Sequence, residues 1–185
     1  MNPSSEEKFL ISKVGMLIFL GTEAMMFITL LAAYSVLRFA NPGWQGPYHL
    51  PILMTSINTL ILLSSSFFLH QAQTMINKGT NQKLFSKIGI TLVLGIIFLV
   101  LQGVEWAKLI REGLVLKTGP FASTFFTLTG FHGLHVLVGL CVLLFLLMRS
   151  KQQPLKNPTP FHIGSMYWHF VDAVWIVIFV SLYLT

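Results

Sequence analysis

Five ionisable side chains carry the chemistry this sequence could perform: Glu23, His132, His135, His169 and Asp172. His132 and His135 are three residues apart, as are His169 and Asp172, so on helices each pair shares a face. Such His-x-x-His and His-x-x-Asp spacings resemble metal-ligand sets. Imidazole facing carboxylate equally makes a proton relay or a hydrogen-bonded joint. All five lie inside long apolar runs. A charged side chain at the middle of a bilayer costs about 2.5–3.5 kcal/mol, against −0.3 to −0.6 for a Leu or Phe. Each therefore requires a partner.

Composition sets the class of the elements that position them. Of 185 residues, 54% are apolar and 10% charged, with 16 Phe and a mean hydropathy of +0.73. Soluble domains carry about 25% charged residues. A soluble enzyme, a disordered chain and a disulfide scaffold are excluded. The one cysteine, Cys141, rules out an intrachain disulfide and any Cys-pair metal site, and is expected as a small apolar packing residue. The net charge of +6 does not imply nucleic acid, because the Lys and Arg sit between apolar runs, as in membrane proteins.

Five runs are long enough to cross a bilayer: 14–37, 52–76, 88–107, 121–148 and 162–184. None alternates in polarity as a spanning strand would, so an all-α integral membrane bundle of five transmembrane helices is expected, as a single membrane domain. The leader contains Glu6 and Glu7 and the first run is too long for a cleaved signal peptide. No internal repeat is found, which argues against a small alternating-access transporter. Eight Lys and Arg fall on the side of the N-terminus and four on the other. The N-terminus is therefore predicted to be cytoplasmic and the C-terminus outside. Trp44, Tyr48 and Trp106 sit where interfacial aromatics are expected.

At about 1.5 Å per residue, Glu23 and Asp172 lie about 15 Å from the N-terminal side, His169 about 10 Å and His135 about 20 Å. This common layer predicts one interhelical network of Glu23, His132, His135, His169 and Asp172, with Gly130 and Gly133 admitting a neighbouring helix. It reads as polar glue, as a proton relay or as a metal or haem site. Glu105, near the end of the third run and three residues before Lys108, is expected as an interfacial carboxylate, solvated or paired. Ser64, Ser65 and Ser66 read as a close-packing surface, with no spacing that supports a nucleophile.

Two stretches are specific enough to resemble a family. Gly119 to His135 reads Gly-Pro-Phe-Ala-Ser-Thr-Phe-Phe-Thr-Leu-Thr-Gly-Phe-His-Gly-Leu-His, and Tyr167 to Trp175 reads Tyr-Trp-His-Phe-Val-Asp-Ala-Val-Trp, followed by Val-Ser-Leu-Tyr from Val180. Both resemble subunit III of the haem–copper respiratory oxidases, cytochrome c or quinol oxidases. Glu23, Asn58-Thr59 and the Leu101 to Glu105 stretch match in order, over nearly the whole chain. Many members have seven spans, and the match starts at the third, as in the five-span bacterial form. Gln73 and Thr74 stand where several members carry paired histidines, and His70 is offset, so no role of that pair transfers.

The resemblance implies an accessory subunit of a proton-pumping, oxygen-reducing terminal oxidase in the bacterial plasma membrane. It would hold no redox centre, the haems and copper residing in partner subunits. Its implied partners are the catalytic subunit I, subunit II, a small subunit IV and phospholipids. Glu23 matches the family's carbodiimide-reactive carboxylate, and Arg149 matches a lipid-phosphate contact, a role that a guanidinium at headgroup level suits. The alternative reading is a free-standing metal-dependent membrane enzyme using His132, His135, His169 and Asp172.

Overall fold

The computed structural model describes residues 4–41, 50–78, 83–152 and 158–184. Five helices run through them: α1 (Ser5–Ala40), α2 (Ile52–Asn77), α3 (Leu84–Arg111), α4 (Pro120–Gln152) and α5 (Thr159–Phe179), which continues as a π-helical turn, Val180–Leu184. No strand occurs among the described residues. All five helices are long and apolar enough to cross a membrane. Each contains its expected run and extends past it. Trp44, Tyr48, Lys156 and Asn157 lie outside the described residues.

Local chemistry sets the helix ends. Ser4 and Glu7 form a reciprocal capping box at the start of α1: the Ser4 amide donates to Glu7 at 2.6 Å and the Glu7 amide to Ser4 Oγ at 3.2 Å. Such a box satisfies two of the amides a helix start leaves open. Asn41 Nδ2 donates to the Leu37 carbonyl at the other end. α3 stops at Gly113, whose φ of 94° is left-handed. There the Leu114 amide reaches back to the Leu109 carbonyl and the Gly113 amide to that of Ile110, a Schellman ending. Leu109 and Leu114 bury together beneath it.

The helices α2 to α5 form a four-helix core, and α1 lies against α4 and α5 at its flank. α1 is the least buried helix and α5 the most. The two chain ends are on opposite faces of a five-span bundle. We call the face with the start of α1 the N side and the face with the end of α5 the C side. Many large apolar side chains point outward, such as Leu17, Ile18, Met25 and Ile28 on α1. An apolar exterior of this kind belongs in lipid, not water. Cys141 belongs to this exterior. It does not pack inside as expected, because its position falls on the outward face of α4, where a thiol is as apolar as the lipid it meets.

One indole joins the four core helices. Trp168 on α5 is fully buried, and its Nε1 donates to Ser65 Oγ on α2 at 3.0 Å. Its ring lies against Gly95 of α3 and Gly139 of α4. A Cβ at Gly95 would sit 2.7 Å from the ring, and one at Gly139 2.8 Å from it. The glycines singled out in the sequence are less tight: Gly130 meets the Trp106 ring at 3.2 Å and Gly133 only Leu99 at 4.0 Å. A rigid ring cannot retreat from an added methyl, so Gly139→Ala is expected to cost about 1–3 kcal/mol as overpacking. Thermal unfolding in detergent should show a lowered midpoint, with a smaller drop when Trp168→Phe is also present. An unchanged midpoint for the single variant would show that the indole is not confined.

Candidate functional site

The five singled-out side chains separate into three places. At the α1–α4 contact, His135 Nε2 and Glu23 Oε2 are 2.9 Å apart. His135 Nδ1 lies 2.7 Å from the Phe131 carbonyl, which can only accept, so Nδ1 carries a hydrogen. One proton must then lie between Nε2 and Oε2. The pair is either imidazolium with carboxylate or neutral imidazole with carboxylic acid. Phe27 packs edge-on against the His135 ring. Tyr167 of α5 donates to the His135 backbone carbonyl at 3.1 Å, which ties α5 to the same corner.

The second place is at the α2–α5 contact. Ser66 Oγ donates to Asp172 Oδ2 and lies 3.0 Å from His169 Nδ1. Ser, His and Asp thus meet despite no such spacing in the sequence. The order is wrong for a hydrolase, because histidine must stand between the hydroxyl and the carboxylate to pass a proton. Here the serine stands between. Toward the N side, Gln73 Nε2 and His162 Nδ1 are 3.1 Å apart, and Ser165 donates to Gln73 Oε1. His70 points outward.

His132, the third, is fully enclosed. Its ring lies 4.9 Å from that of Trp175 and 6.0 Å from that of Phe98. Neither nitrogen has a hydrogen-bond partner among the described residues. The single network expected from a common depth is therefore corrected to one hydrogen-bonded pair, one serine-bridged group of His169 and Asp172, and one isolated ring. Depth was the only coordinate available, and residues at one depth can face different neighbours around a bundle. His132, His135, His169 and Asp172 do not converge. Among the described residues no group of three His, Cys, Asp or Glu side chains is placed to hold a metal ion.

Glu105 also differs from expectation. It is not solvated beside Lys108 but 1% exposed inside the bundle. Tyr183 donates to its Oε1 at 2.6 Å and Thr55 to its Oε2 at 3.0 Å. The π turn carries Tyr183, and the Ser181 carbonyl in the same turn accepts from Tyr34 of α1 at 2.9 Å. Extra turns of this type recur where a helix must re-aim a side chain. Thr55 was not singled out in the sequence, where a polar residue three positions before Asn58 was the only hint, and Tyr183 entered only as the end of the family-like stretch from Val180. Trp106 packs edge-on against Phe126 and is part-buried.

An open-sided cleft of about 1490 Å³ separates α1 from α4 and α5 on the N side. Its walls are mainly apolar, with Phe9, Met16, Phe145 and Leu146 among them, and Lys8 and His162 are on its rim. Its inner end is closed by Phe19 stacked on Tyr167. Glu23 follows one turn beyond Phe19 on α1. Arg149 is exposed, one turn beyond Phe145 and Leu146 on α4.

The sequence profile of cytochrome c oxidase subunit III matches residues 9–185. Cytochrome c oxidase subunit 3 of Synechocystis is 43% identical over 176 residues, covering 92% of this chain and 74% of the relative. The protein of the same name from Thermostichus vulcanus is 38% identical, covering 92% and 86%. Quinol oxidase subunit 3 of Bacillus subtilis is 37% identical over 174 residues, covering 92% and 85%. Bacterial relatives and five spanning helices make this a multi-pass plasma-membrane protein. The chain belongs to the cytochrome c oxidase subunit III family.

Proposed function

We propose that this chain is the accessory third subunit of a haem–copper terminal oxidase, one that reduces oxygen to water and pumps protons. It packs on the catalytic subunit, beside subunit II and a small subunit IV, and carries out no electron transfer itself. The haems and copper belong to its partners. The N side faces the cytoplasm, in keeping with its excess of Lys and Arg.

The observation that carries the accessory reading is the cleft. A wedge of this size, walled by apolar side chains and open to the side, suits the acyl chains of a phospholipid. Arg149 stands at headgroup level on the α4 side, where a guanidinium binds phosphate with two parallel hydrogen bonds. Glu23 and His135 hold α1 against α4 just beyond the inner end of the cleft. They keep the wedge at a fixed width, so that bound lipid joins this chain to the catalytic subunit. The pair acts as structural glue and holds the lipid site open.

Two measurements test this. The purified oxidase stripped of this chain should keep its initial oxygen-reduction rate but lose activity sooner over sustained turnover, with fewer phospholipids per complex. Immediate, near-complete loss of oxygen reduction would contradict the accessory role. A hydrophobic carbodiimide applied to membranes should label Glu23, whose side chain is 22% exposed, and spare Glu105. Labelling at Glu105 instead would contradict the assignment of Glu23 as the carboxyl that lipid can reach.

A further inference from the structure

Buried polar atoms are nearly always hydrogen-bonded, and those that are not need an explanation. Seven buried side-chain nitrogen and oxygen atoms have no partner among the described residues. Five of the seven belong to three residues: Asn58 Oδ1, both amide atoms of Gln102 and both ring nitrogens of His132. These three residues come from three helices, α2, α3 and α4. All three are no more than 5% exposed.

They share one layer of the bundle, with Phe98 as common neighbour. The Phe98 carbonyl accepts from Asn58 Nδ2 at 3.2 Å, and its ring edge meets His132. Gln102 is one turn further along α3, its amide beside the Tyr183 hydroxyl but short of a complete hydrogen bond. Glu105 is the next turn, and Thr55, which donates to it, is one turn from Asn58. Leu62, one turn from Asn58, and Trp175, whose ring meets that of His132, are also fully buried. Unpartnered polar atoms from three helices, buried around one phenylalanine, mark a site for a small hydrogen-bonding ligand.

We propose that the α2–α5 core holds a buried water cluster, bound by Asn58 Oδ1, the Gln102 amide and the His132 imidazole. The ligand is water because the set offers both acceptors and donors in an uncharged mixture, which a cation or an anion would use only in part. Buried waters make about three hydrogen bonds each, so about three would satisfy the five atoms and one another. The cluster lies one helical turn from the Glu105 carboxylate and extends its hydrogen-bonded group with Thr55 and Tyr183 into the centre of the bundle. It is distinct from the lipid cleft, which lies on the other side of α4 and α5.

Apolar replacement separates a satisfied set from an unsatisfied one. Removing a polar group that has no partner stabilises a fold, whereas removing a member of a connected network strands the rest. Gln102→Leu and His132→Phe, each made in the intact complex, should therefore lower the thermal midpoint of this chain by about 2–4 °C. A raised midpoint in both would overturn the proposal. A density map of the wild-type complex that resolves ordered solvent gives an independent answer if either variant fails to assemble. It should show water within hydrogen-bond distance of at least two of the three side chains. A map in which Asn58, Gln102 and His132 bond directly to one another, with no water between them, would overturn the proposal as well.

Discussion

Hydrocarbon offers no hydrogen bonds, so a polar side chain placed in it must find its partner within the protein, and the larger ones here find it on another helix. Most of the packing in this bundle answers that constraint. Trp168 donates to Ser65, Trp175 to Thr59, Tyr183 to Glu105, and Ser66 to Asp172. Each bond joins α5 to α2 or α3. α5 with its π turn takes part in all four, and it is the most buried helix of the bundle. Close packing follows from the same contacts, since Gly95 and Gly139 leave room for the Trp168 ring that makes one of them.

The flank obeys the rule with fewer means. α1 is largely apolar outside and little buried, and apolar surface gains nothing by leaving lipid for protein. What holds it is specific: Glu23 with His135, Tyr34 with the Ser181 carbonyl, and Phe19 stacked on Tyr167. Between these contacts and Phe9, which meets the His162 ring edge-on nearer the N side, α1 leaves room for the cleft. The same geometry that fixes one helix by a few polar contacts thereby creates a lipid-sized wedge beside it. In this account the functional surface is a by-product of how the flanking helix is attached.

The spans, their number and their helical character were legible in composition and run length. That Glu23, His132, His135, His169 and Asp172 each need a partner followed from the cost of burying charge, and all but His132 have one among the described residues. Who partners whom was not. Depth along a run is readable at a fixed rise per residue, but azimuth depends on how helices rotate against each other, and five helices allow many rotations. Glu105 shows the limit. Its proximity to Lys108 and the end of a run suggested water, yet helical phase turns it inward toward Thr55 and a tyrosine 78 residues away. The π turn that brings Tyr183 there leaves no mark in hydropathy. Cys141 failed for the same reason of phase.

The central claim is that paired ionisable groups join helices here and do so in energetic terms, not only in position. A double-mutant cycle on Glu23 and His135 measures this directly, using Glu23→Leu, His135→Phe and the double variant in the assembled oxidase, read by thermal unfolding. The account expects each single change to strand its partner and the double change to cost less than the sum, with a coupling of about 0.6–2 kcal/mol. Strict additivity of the two changes would contradict it.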